Sequence, residues 1–75
     1  MFYNLSTIER GYVMIIENIR RLADAKGLSI RAVERKAGLS NGTIGKWDEH
    51  SPSVENLAAV ASVLKVTVNR LLKEQ

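Results

Sequence analysis

The stretch Ser29 to Trp47, SIRAVERKAGLSNGTIGKW, most constrains what this chain can fold into. It reads as two short helices joined by a tight turn, with Val33, Ala37, Leu39, Ile44 and Trp47 as apolar anchors. Gly38 sits where the first of these helices must stop and the backbone needs a positive φ. Ser40 is expected to cap the second, its hydroxyl accepting an otherwise orphaned backbone N–H in the next turn. The expected result is a helix, a short turn and a second helix crossing the first steeply.

The rest of the composition bounds the function classes. Seventy-five residues make one domain, near the small end of what folds without staples. The chain has no cysteine, so neither a disulfide framework nor a thiolate metal site is available, and a reducing cytoplasm fits. The longest apolar run is too short to cross a bilayer, and no secretory pattern leads the chain. A net charge of +3 and a pI near 9.6 make a nucleic-acid partner worth testing. An enzyme is not expected. There is one histidine, no phosphate-binding GxxxxGK and no carboxylate pair in a plausible pocket, and neither cofactor nor metal is called for.

In chain order, residues 1–13 show no sustained helical period and read as a loose arm. Glu9-Arg10-Gly11 can be encoded as a purine run resembling a bacterial ribosome-binding site, which makes Met14 a candidate start. From Met14, Ile15, Ile19, Leu22 and Ala23 recur at helical spacing and Gly27 stops the first helix. The second helix spans Ile30 to Ala37 behind Ser29 as N-cap, with Ile30, Val33 and Ala37 on one side. The third runs from 41 to 48, and Pro52 keeps the following loop out of helix. Ser53 caps a fourth, whose apolar stripe reads as Val54, Leu57, Ala58, Ala61 and Leu64. Thr67 caps a last helix with Val68, Leu71 and Leu72 on its apolar face. No strand pattern or repeat appears, so the expected architecture is all-α: five short helices around one core.

The helix at 41–48 carries the chemistry. At about 100° per residue, Ile44 and Trp47 point one way, while Gly42 and Lys46 point almost opposite, flanked by Asn41, Thr43 and Gly45. Each glycine costs about 1 kcal/mol in a helix interior, so stability does not explain two on the outward face. A groove-docked helix does, because a bare backbone approaches base edges closely while Lys46 offers an ammonium to guanine or phosphate. Asn41 can pair bidentately with adenine. His50 reads as a surface residue or phosphate contact.

AGLSNGTIGKW, preceded by LSIRAVERK and followed by a proline loop and SVENLAAVASVLKVTVNRLL, resembles the lambda-repressor/Cro-type (Xre-like) helix-turn-helix family from Ile15 to Leu72. The variant LSNGTI with a following W and S-P-S is similar to repressors of phages and mobile elements in Gram-positive bacteria. The resemblance implies a five-helix lambda-repressor-like DNA-binding domain over residues 14–75. It places base reading on Asn41, Gly42, Thr43, Gly45 and Lys46. Backbone contacts fall at the starts of the second and third helices, giving Ser29, Arg31 and Ser40 as candidates, to which His50 beside the Pro52 loop is added from its position alone. Two positions depart from the family pattern. Ile30 stands where many members place a phosphate-binding glutamine, passing that anchor to Arg31 or Ser29. Glu34 stands at the helix crossing, where many have alanine, and must reach solvent or a cation such as Arg31, Lys36 or Lys46.

Two other functions compete. Gly42-Thr43-Ile44-Gly45 matches the GxxG with which KH domains clamp RNA, but those folds need a sheet that this chain does not offer. An antitoxin-type module, regulating its own operon while binding a separate toxin, is the stronger alternative. Only Lys73-Glu74-Gln75 follow Leu72, which favours a plain regulator acted on by a separate antirepressor, if any. One short helix reads few base pairs, so a homodimer on paired half-sites of double-stranded operator DNA is expected, and Val66, Val68, Leu71 and Leu72 of the last helix either form its interface or simply close the monomer core.

Overall fold

The computed structural model describes the backbone of residues 5–73 and the side chains of residues 14–73. All regular structure among them is helical: α1 (Leu5–Ala25), α2 (Ile30–Ala37), a 3₁₀ helix (Ile44–Asp48), α3 (Val54–Leu64) and α4 (Val68–Leu72). The expected five α-helices are thus four, with a 3₁₀ helix in the third place. The first is not short, since α1 runs through 21 residues and begins at Leu5 rather than Met14. Residues 1–4 of the expected arm lie outside the described residues.

Three of the four expected N-caps form. The side-chain oxygens of Ser29, Ser53 and Thr67 accept from the N–H groups of Ala32, Asn56 and Arg70 at 3.0, 3.1 and 3.3 Å. Each cap satisfies a donor that an α-helix leaves open in its first turn. The C-terminal ends are equally local. At Gly38 (φ 78) and Lys65 (φ 59) the backbone turns left-handed. The N–H groups of Gly38 and Leu39 then reach back to the carbonyls of Arg35 and Glu34, and those of Lys65 and Val66 to Ser62 and Ala61.

The core gathers Ile15, Ile19 and Ala23 from α1, Val33 from α2, Ile44 and Trp47 from the 3₁₀ helix, Leu57, Val60, Ala61 and Leu64 from α3, and Leu71 from α4. α1 packs against the 3₁₀ helix, α2 and α4, while α3 packs against α2 and α4. The buried stripe of α3 is rotated from the expected one. Val60 is buried, whereas Val54 (76 % exposed) and Ala58 face outward. VENLAAVASVL is apolar on nearly every side, so its periodicity permits two phases, and packing against α2 and α4 selects the one through Val60.

Asn18 of α1 is buried among these apolar side chains. Its Nδ2 donates to the carbonyl oxygens of Leu71 and Lys73, both at 2.8 Å, and so holds the end of α4 against α1. Leu71 is fully buried within the protomer, which removes it from the expected dimer interface; Leu72 remains 49 % exposed. Among the described residues no helix is long and apolar enough to cross a membrane.

Candidate nucleic-acid interface

The segment between α2 and Trp47 is shaped by two glycines and a carboxylate. Gly38 ends α2 in the left-handed conformation and Leu39 follows half-buried against the core. The Ser40 carbonyl accepts from Thr43 N–H at 3.2 Å, closing a turn in which Gly42 adopts φ 91. Three-residue bonds then wind the 3₁₀ helix: Lys46 N–H donates to the Thr43 carbonyl at 3.1 Å and Glu49 N–H to that of Lys46 at 3.0 Å.

This corrects the expected α-helix at 41–48 with Ser40 as its cap. The amides such a cap would serve go elsewhere. Glu34, 3 % exposed, accepts from Gly42 N–H on Oε1 at 3.0 Å and from Ile44 N–H on Oε2 at 2.9 Å. The expectation that Glu34 reaches solvent or pairs with Arg31, Lys36 or Lys46 is overturned with it. A buried carboxylate is tolerated when strong donors satisfy it, and two backbone N–H groups do so here.

Gly42 is likewise accounted for differently. It is a turn residue whose φ lies where an L side chain is strained, so the turn itself requires glycine, independently of any close approach to a groove. Gly45 is the other case: its φ is ordinary, and a Cβ built there meets nothing within 4 Å.

The outward side of the segment carries the residues expected to read bases. Asn41, Gly42, Gly45 and Lys46 are exposed and Thr43 is half-buried, while Ile44 and Trp47 hold the segment to the core. Of the expected backbone contacts, Ser29, Arg31, Ser40 and His50 are all exposed. Ser29 also uses its oxygen as the α2 cap, which leaves its O–H to donate. Arg31 and Asn41 come together on the walls of a shallow pocket of about 180 Å³, completed by Glu34, Arg35 and Leu39. Sequence reasoning missed Arg35 there, and it missed the role of Glu34. The available signal for Glu34 was a charge at a position where a helix crossing leaves little room. Among the described residues, no three His, Cys, Asp or Glu side chains gather as metal ligands.

A mostly uncovered polar and cationic segment, backed by two buried anchors and flanked by two arginines, suits an anionic partner with readable edges. A family model described as helix-turn-helix matches residues 19–71 of the chain. No curated protein matches it.

Proposed function

Because this chain belongs to the lambda-repressor-like helix-turn-helix family of DNA-binding regulators, we propose that it is a sequence-specific transcriptional repressor that binds operator DNA as a homodimer. The observation that carries this reading is the uncovered face of the segment from Asn41 to Lys46, held in place from behind by Ile44 and Trp47. Asn41, Thr43 and Lys46 supply groups that hydrogen-bond base edges, and Gly42 and Gly45 let the backbone approach. Ser29, Arg31, Ser40 and His50 position the protein on the phosphates. In this reading the DNA-binding unit spans residues 14–75, which contain the family match over residues 19–71, and helical residues 5–13 extend α1 ahead of it. In the dimer, the exposed Leu72 with Val66 and Val68 forms the contact between protomers, and occupation of the operator blocks the promoter.

The test is a salt titration of binding to duplex DNA from upstream of the protein's own gene, beside an unrelated duplex of equal length. Selective binding by two protomers, with log K falling linearly in log salt concentration, is expected. Weak binding equal on both duplexes refutes the reading and directs the search to a protein partner, as an antitoxin-type module requires. Lys46→Ala is expected to cost about 1–3 kcal/mol on the upstream duplex and to relax sequence preference. An equal loss on both duplexes would make Lys46 a phosphate contact.

A further inference from the structure

Glu34 is the one charged side chain buried among the described residues, and both its oxygens are spent on the reading segment. Gly42 N–H and Ile44 N–H donate to it, and the intervening Thr43 N–H donates to the Ser40 carbonyl. Three successive amides that a regular helix start would leave open are therefore satisfied within the protein. A two-oxygen attachment fixes orientation as well as distance, because neither amide can rotate without losing its acceptor. The left-handed Gly42 between Asn41 and Thr43 adopts the conformation that this attachment demands.

We propose that Glu34 is a positioning residue for DNA recognition: by holding Gly42 and Ile44 it fixes the 41–43 turn, and with it the direction in which Asn41, Thr43, Gly45 and Lys46 reach the groove. The proposal rests on the DNA-reading function argued above. Where the resemblance leads one to expect an alanine and a hydroxyl cap at Ser40, this chain uses a carboxylate from the preceding helix. The orientation of its reading segment is thus tied to α2 rather than to its own first turn.

The experiment measures, for the full chain, the ratio of affinities for a duplex selected by the wild-type protein and for an unrelated duplex. Glu34→Gln keeps the shape but offers one acceptor and an NH₂ group where two acceptors are needed. It is expected to lower that ratio by about tenfold or more, to leave binding to the unrelated duplex nearly unchanged, and to move the Gly42 or Ile44 amide resonance upfield. A folded Glu34→Gln protein with the wild-type ratio overturns the proposal.

Should Glu34→Gln fail to fold, the attachment is tested by Glu34→Asp, which keeps both acceptors but draws them back by one methylene, and by amide hydrogen exchange of the wild-type protein. Glu34→Asp is expected to lower the ratio, and the Gly42 and Ile44 amides of the wild type to exchange as slowly as core amides. An unchanged ratio in Glu34→Asp, or exchange of those two amides at the rate of an unbonded loop, overturns the proposal. A wild-type protein that selects no duplex defeats the DNA-reading function itself. Discrimination that survives in the variants defeats only the role of Glu34.

Discussion

Lys65 holds the same place after α3 that Gly38 holds after α2, yet it carries a side chain at φ 59 and ψ 44. The left-handed conformation costs an L residue about 1–2 kcal/mol, part of which a glycine returns through the greater freedom of its unfolded chain. Lys65→Gly is therefore expected to stabilise the protein by about 0.5–1 kcal/mol, read as a rise in the urea midpoint. No gain would mean that the lysine side chain contributes contacts matching the strain. Residue-level legibility differed between Gly38 and Glu34. A glycine ahead of an apolar-Ser pair announces a helix end by its own backbone freedom. A glutamate announces only a charge, and its burial is decided by whether amides eight and ten residues later turn toward it.

At the scale of elements, caps were legible wherever the following segment is a regular α-helix. Ser29, Ser53 and Thr67 each stand before one and each accepts the expected amide. Ser40 stands before a turn, where Glu34 accepts from the Gly42 amide and the Ser40 carbonyl from that of Thr43. The two situations separate in stability measurements. Ser53→Ala and Thr67→Ala are expected to cost about 1 kcal/mol each, whereas Ser40→Ala stays within about 0.5 kcal/mol of the wild type. Trp47 fluorescence in a denaturant titration reads all three, and a large loss at Ser40 would restore it as a cap. The stripe of α3 was only partly legible for another reason. Where a helix is apolar on most sides, the partner rather than the period sets which side is buried, and Val60 was found only through packing.

At the scale of the whole molecule, α4 has five residues, far fewer than a helix needs to persist alone in water. It is held by Leu71 in the core and by Asn18, whose amide reaches two carbonyls at the far end of the chain. Asn18→Leu preserves bulk but removes the donor, leaving the Leu71 carbonyl buried without it. A loss of about 1–3 kcal/mol is expected, read by thermal unfolding. An unchanged melting temperature would show that these bonds add nothing to the docking of α4. Leu71 was legible as apolar; Asn18 was not, because a polar residue beside a helix stripe signals exposure unless its distant partners are known. The family match over residues 19–71 begins one residue after Asn18 and ends at Leu71, so the donor of this fastening and its Lys73 acceptor both lie just outside the matched stretch.

The open space around Gly45 bears on how such a protein changes its target. A Cβ there meets nothing, the backbone is unstrained and the position is exposed, so a side chain can leave residue 45 toward solvent without displacing a neighbour at its first carbon. Most substitutions would even favour the helical backbone, by up to about 1 kcal/mol. If residue 45 reads bases as proposed, fold and preference are uncoupled at this position. A library randomised at residue 45 alone would be sieved almost entirely by what it contacts, and new preferences could be sampled in single steps without passing through unfolded intermediates.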